Sequence, residues 1–224
     1  MKRENSEKPF ELGSVPEPTV RRLSHYRYLL DKLKNSGRII VSSTLISSEL
    51  YIDAIQVKKD IQYTGIFGQP KKGYKINELL DRIDEILNWG HEERAFLVGA
   101  GSLGHAMLGY NGFNACGLKF VAAFDKERLL VGSKIHDVEV FDIEHLVEMG
   151  KMTKVKIGVI TVPSASAQEV ADRLVEAGVK AIWNFASIRL SVPEGIILEN
   201  AQFVQSLAVL THKLGRLQHS VDID

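Results

Sequence analysis

A single cysteine, Cys116, in 224 residues leaves no partner for an internal disulfide. No window holds eighteen consecutive apolar residues, the length needed to cross a bilayer, and the opening MKRENSEKPFELGS lacks the apolar run of a secretory signal. These absences point to a soluble chain that works in the cytoplasm. Seven histidines are present, but none falls in metal-ligand spacing, so no metal site is expected. Net charge is missing too: 28 Lys and Arg balance 28 Asp and Glu.

That balance does not hold locally. From Pro18 to Lys75 there are 11 Lys and Arg against 4 Asp and Glu, whereas residues 76 to 224 hold 14 against 20. An electrostatic footprint depends on local charge, so the basic segment can meet a polyanionic partner; a solvated lysine-rich helix face is the plain alternative. The length suits two small domains.

The first seventeen residues are polar and are expected to form a flexible arm. Thr19 is the expected N-cap of a first helix over TVRRLSHYRYLLDKLKNSG, with Val20, Leu23, Tyr26, Leu30 and Leu33 on one face and a stop at Gly37. Ser42 or Ser43 caps a short second helix with Leu45, Ile46 and Leu50 apolar. Asp53 caps a third, in which Ala54, Val57 and Ile61 point inward and Gly65 terminates. Three short helices so close together suggest a helix-turn-helix unit. GIFGQPKKGYKI then reads as a small β-hairpin, the wing of a winged helix, and INELLDRIDEILNW as an amphipathic helix. The expected domain covers residues 18–90.

Beyond it, apolar strands at 94–100, 118–125, 156–162 and 181–185 alternate with helical patterns at 102–113, 142–149 and 164–177. That alternation implies a parallel sheet covered on both faces, an α/β Rossmann-like domain over 91–200. The final segment, 201–224, is expected to be a helix whose Phe203, Leu207, Leu210 and Leu214 stripe is buried by a second subunit.

LVGAGSLGHA carries Gly99, Gly101 and Gly104 in dinucleotide-binding spacing, with a strand leading in, a helix leading out and Asp125 closing the next strand. Gly99 permits the tight turn, Gly101 lets a pyrophosphate approach the backbone, and Gly104 lets helix and strand pack closely. Ala100, Ser102 and Leu103 complete the turn, whose free N–H groups face the phosphates. Asp125 can accept hydrogen bonds from both ribose hydroxyls and repels a 2′-phosphate, favouring NAD over NADP, although Lys126 is next to it. Another ligand such as coenzyme A is the alternative. Tyr110 can reach a nicotinamide or pack under the sheet. No histidine has a visible partner for proton transfer, and a substrate domain has no room, so no catalytic set is expected and NAD(H) is read rather than consumed; a small NAD-dependent oxidoreductase is the runner-up.

On the third helix Gln56, Lys58, Lys59 and Gln62 project away from Val57 and Ile61, in residue types that read bases or bind phosphate in a major groove. Lys71 and Lys72 on the wing, with Arg21, Arg22, Ser42, Ser43 and Thr44, suit phosphate contacts.

VPEPTVRRL, VSSTLISSEL, QVKKDIQYTGIFG, GYKINELL, LVGAGSLG, FVAAFD, VPSASAQEVADRLVEAGVKAIWNFA and VPEGIILEN, in this order, closely resemble the Rex family of redox-sensing transcriptional repressors. The match runs from about Val15 to Leu214. The resemblance implies a winged-helix domain, a Rossmann domain and a C-terminal helix exchanged within a homodimer. It also implies a repressor that holds double-stranded operator DNA and releases it when NADH binds. Val162, Pro163, Asn184, Phe185, Ala186 and Phe203 join the implied cofactor set, and Tyr63 the implied DNA set. Tyr28 and Gln202 depart from the family, standing where an arginine and an aspartate are usual; Lys58 replaces an arginine, and the wing reads GQPKKGY where an arginine-glycine is usual, so a Rex-like repressor with an altered redox response is a further alternative.

Overall fold

Pro16, not Thr19, begins the first helix. The structure is a computed structural model that describes residues 15–70, 72–201 and 203–221. Pro16 is extended, its carbonyl accepts from the amides of Thr19 and Val20, and α1 runs Glu17–Asn35 with Pro18 in the first turn, where a missing N–H costs nothing. The expected arm therefore ends before Glu17; its first fourteen residues lie outside the described set. Thr19 cannot serve as the cap because it is the third residue of the helix, its own amide already bonded to the Pro16 carbonyl.

After β1 (Ile40–Val41), Ser42 caps α2 (Ser43–Leu50), its hydroxyl accepting from the Leu45 amide at 3.0 Å. Asp53 caps α3 (Ala54–Gln62) by accepting from the Ile55 and Gln56 amides. β2 (Tyr74–Lys75) leads directly into α4 (Ile76–Leu87). Leu23, Tyr26, Leu30, Ile46, Val57, Ile61, Ile76, Leu79 and Ile83 form one core among these helices. The wing differs from expectation. β2 pairs antiparallel with β1, Ile40 opposite Lys75 and Val41 opposite Tyr74, while the expected hairpin shrinks to a single bridge between Gln69 and Gly73. Gly73, at φ +103°, lies so close to the Val41 carbonyl that a Cβ would collide with it, so the returning strand can approach β1 here only because Gly73 has none.

The chain divides into two units between His91 and Glu92. The second is built on a seven-stranded sheet in the order β5-β6-β4-β3-β7-β8-β9. Its strands are β3 (Glu93–Val98), β4 (Leu118–Asp125), β5 (Lys134–Ile135), β6 (Val138–Asp142), β7 (Ile157–Ile160), β8 (Ala181–Asn184) and β9 (Ile197–Asn200). All pairings are parallel except β5 with β6. The edge hairpin β5–β6 and strand β9 fall in stretches where the sequence showed no continuous apolar run. The expected helix 102–113 is two, α5 (Ser102–Leu108) and α6 (Gly112–Ala115), parted at Gly109. α7 (Leu146–Thr153) follows a 3-10 turn at Ile143–His145, and α8 is Ser164–Glu176.

Two cores cover the two faces of the sheet, as continuous apolar strands require. Phe96, Val98, Phe124 and Ile160 face Leu146 of α7 and Ala167, Ala171 and Leu174 of α8. Ala95, Leu97, Ala123 and Val159 face the other way, toward Met107 of α5 and Phe113 of α6. α9 (Phe203–Val221) ends the described chain, and Phe203, Val204, Leu207, Leu210 and Leu214 on it are each more than half exposed. Among the described residues no helix is long and apolar enough to cross a membrane.

Candidate functional site

The chain leaves β3 for its neighbour β4 on one side and returns to β7 on the other, so the carboxyl end of β3 is a topological switch point, where open α/β sheets bind ligands. The glycine turn sits at that end. Gly99 has φ +102°, and a Cβ there would press within 2.8 Å of Val162 Cγ1 and 2.9 Å of the Thr161 carbonyl carbon. A Cβ on Gly104 would strike the Gly99 carbonyl oxygen, so the first turn of α5 can lie against β3 only because Gly104 lacks one. Gly101 differs: a Cβ there would meet nothing within 4 Å, and the open side is toward the cleft.

Two side chains fix this turn. The Asp125 carboxylate accepts from the Ala100 amide at 2.7 Å and the Glu127 amide at 2.9 Å. The Thr161 hydroxyl lies 2.7 Å from the Gly99 carbonyl, to which it donates. A cleft of about 220 Å³ opens beside them, lined by Gly99, Gly101, Asp125, Lys126, Val162 and Pro163 of the expected set. Val98, Phe124 and Thr161 line it too, as do Ile143, Ser166, Glu169, Val170 and Arg173, none of them anticipated as cofactor residues. Arg173 holds Glu144 at 2.9 Å and Glu169 at 3.1 Å, and the hydrogen bond to Glu144 raises its pKa beyond the ordinary arginine value.

The remaining expected cofactor residues fall elsewhere. Asn184 is fully buried; its amide donates to the carbonyls of Ala186 and Ile188 and to Asn200 Oδ1, and its oxygen accepts from the Ala186 amide. Asn184 thus shapes the exit of β8, with its polar atoms committed inside the protein. Tyr110, Phe185 and Phe203 belong to one row of aromatic contacts that runs from Tyr110 through Phe113, Trp183 and Phe185 to Phe203, with ring centroids 4.6 to 5.7 Å apart. Ser102 and Leu103 are exposed on α5, and Ala100 is buried behind the turn.

In the first unit, α3 is held by a carboxylate that the sequence reading did not single out. Asp60 is fully buried. Its Oδ2 accepts from Arg22 Nε at 2.6 Å and the Tyr26 hydroxyl at 2.7 Å; its Oδ1 accepts from Arg22 Nη2 at 2.8 Å, Gln56 Nε2 at 2.9 Å and the Thr19 hydroxyl at 3.1 Å. Burial alone would push its pKa up, but hydrogen bonds from Arg22, Tyr26 and Gln56 and the charge of Arg22 outweigh it and hold the carboxyl below the usual range. Tyr26 moves up, first from burial and then from bonding the carboxylate.

This network redistributes the expected DNA-facing residues. Arg22 and Gln56 are spent on Asp60, because a buried carboxylate needs charged and polar donors more than the solvent does. Ser43 is buried, and Ser42 caps α2. Lys58, Lys59, Gln62 and Tyr63 are exposed along α3 and its C-cap; Thr44, Lys72 and Arg21, which pairs with Glu17, are exposed as well. Tyr28 is exposed on α1. Lys71 and Gln202 lie outside the described residues.

Two family models match the chain, "Putative DNA-binding protein N-terminus" over residues 14–61 and "CoA binding domain" over residues 91–188. The redox-sensing transcriptional repressor Rex of Treponema denticola is 43% identical over 193 residues, covering 86% of this chain and 92% of its own. The chain belongs to the Rex family. Rex of Carboxydothermus hydrogenoformans is 41% identical over 202 residues, 90% of this chain and 97% of its own. Among solved structures, the Rex-family repressor RSP in complex with β-NAD+ and operator DNA is similar to this chain at a TM-score of 0.86, with 35% identity over 93% of this chain and 96% of that one. RSP in complex with β-NADH gives a TM-score of 0.83 at 34% identity, covering 94% and 99%.

Within this Rex chain, Asp60 could have been found from spacing. It stands at i+3 from Val57 and next to Ile61, on the buried stripe of its own helix, and a charge on that stripe must find partners. Arg173 carried no comparable signal, because it reads as one more charge on the polar side of an amphipathic helix.

Proposed function

We propose that this Rex-family protein is a homodimeric transcriptional repressor that binds operator DNA through residues 18–90, binds NAD(H) through residues 91–200, and releases DNA when NADH binds. The reading rests on one observation above the others: likeness to the RSP complex with β-NAD+ and operator DNA spans both units of the chain. The nucleotide is a signal rather than a substrate, so the protein is not an enzyme, and it acts in the cytoplasm. Gly99, Gly101, Asp125, Lys126, Val162 and Pro163 surround the dinucleotide, with Gly101 giving the pyrophosphate access to the backbone. Lys58, Lys59, Gln62, Tyr63, Thr44, Lys72 and Arg21 face DNA.

Dimerisation follows from α9. An amphipathic helix with six large apolar side chains more than half exposed is stable only when another surface covers it, and a second copy exchanging the same helix does so for both. A ligand shifts a two-state equilibrium only by its differential affinity, so NADH must prefer a dimer geometry in which the α3 helices no longer match the half-sites. Titrating DNA selected by the protein, with and without NADH and NAD+, tests this. Weaker binding with NADH is expected; equal or tighter binding overturns the switch, and steady NADH oxidation with a carbonyl substrate overturns the assignment as a sensor.

A further inference from the structure

The exposed face of α3 is not uniformly polar. Ile55, Lys58, Lys59 and Gln62 fall at i, i+3, i+4 and i+7 and so share one stripe, away from buried Val57 and Ile61. Ile55 heads that stripe at 65% exposure. The helix N-terminus itself is closed to an anion, because the Asp53 carboxylate already accepts from the Ile55 amide at 2.8 Å and the Gln56 amide at 3.2 Å. What the first turn offers a partner is therefore the Ile55 side chain.

A branched apolar group held in water among lysines gains nothing from folding, and only a partner surface can cover it. In a DNA-binding helix-turn-helix the first turn of the recognition helix is the part that reaches base edges. The apolar group on those edges in the major groove is the thymine C5-methyl. We propose that Ile55 is a specificity-determining residue that reads thymine through its 5-methyl group, at one position in each half-site. The proposal rests on the reading of this protein as a DNA-binding repressor and adds which base it reads and how. Exposed Tyr51 and Phe67 do not belong to this stripe: Tyr51 is the C-cap of α2, and Phe67 lies five residues beyond the end of α3.

The full-length protein is first used to enrich duplexes from a randomised pool. Each thymine of the enriched site is then replaced singly by deoxyuridine, which removes the methyl and leaves the pairing edge intact. At one thymine per half-site, uracil is expected to weaken wild-type binding about fourfold, the worth of one buried methyl. Ile55→Ala should bind thymine and uracil equally at that position, and Ile55→Val should keep most of the discrimination. Both variants fold, since the side chain is exposed. Uracil effects that persist unchanged in Ile55→Ala, or no uracil effect at any thymine, overturn the proposal while DNA binding stands. A pool from which no duplex is enriched overturns the reading of the protein as DNA-binding, and with it this inference.

Discussion

Replacing Asp60 by asparagine should unfold the DNA-binding unit far more easily than its single-atom change suggests. The carboxylate takes five hydrogen bonds from Thr19, Arg22, Tyr26 and Gln56 and offers none. An asparagine points an NH2 group at donors, leaves the Arg22 charge without its counter-ion, and strands donors in a site where Asp60 and Tyr26 are fully buried. Removing one partner of a buried ion pair costs about 3–5 kcal/mol, and because Arg22 keeps a quarter of its side chain in water and can rehydrate, the lower end, about 3 kcal/mol, is expected. For a unit of this size that lowers Tm by roughly 12–24 °C. The protein has two tryptophans, Trp89 in the first unit and Trp183 in the second, so Trp89 fluorescence in a Trp183→Phe background follows the DNA-binding unit alone. A fall of less than about 4 °C, the equivalent of under 1 kcal/mol, would refute the role given to Asp60.

Acid supplies a second reading of the same group. The folded pKa of Asp60 lies below its unfolded value, so its contribution is present above the unfolded value of about 4 and is lost as pH falls through the folded one. The Tm of the first unit should hold from neutrality to about pH 5 and drop below about pH 4. In Asp60→Asn that acid limb should shrink; an unchanged limb would assign it to other carboxylates.

Gly101→Val should abolish NADH binding while changing the melting of the second unit little, since a Cβ at this position meets no protein atom within 4 Å and the branched side chain is directed into the open cleft; calorimetric titration and thermal melts read the two halves. Lys58→Ala or Lys59→Ala should weaken DNA binding without changing NADH affinity. A phosphate contact lowers the salt slope by about 1 on all DNA, and a base contact costs roughly 1–3 kcal/mol on the selected site only, so unchanged binding in the double variant would remove α3 as the reader. Leu207→Glu with Leu210→Glu should turn the dimer into a monomer by light scattering, because two charges would enter the stripe a second copy covers; a dimer of unchanged mass would place that interface elsewhere.

What could be read from the sequence was whatever depends on neighbours along the chain. The spacing of Gly99, Gly101 and Gly104 anticipates the turn because Gly104 answers to the strand and turn just before it and Gly101 to the open cleft, while the close approach of Gly99 to Thr161 and Val162 is a contact the local pattern does not show. Apolar runs anticipate β3, β4, β7 and β8, since strands covered on both faces leave no polar positions. Capping by Ser42 and Asp53 is likewise local. The misses are pairings across distance. β2 joins β1 instead of folding back on the residues before it, and Asp60 draws Arg22 and Gln56 out of the expected DNA-facing set through bonds that reach, for Arg22, 38 residues along the chain.

Asp60 also changes what the exposed side of α3 can do. A two-and-a-half-turn helix such as Ala54–Gln62 is too short to hold itself, and its orientation comes from packing. Val57 and Ile61 supply area without direction, since apolar contact tolerates small rotations. The hydrogen bonds to Asp60 are directional and tie α3 to about two turns of α1, at Thr19, Arg22 and Tyr26. Any rotation of α3 that moved Ile55, Lys58 and Lys59 off their stripe would break bonds to a buried charge. If α3 is the reading face, as proposed, that face is set before DNA arrives, which spares the ordering cost of binding, and it is set by a buried residue.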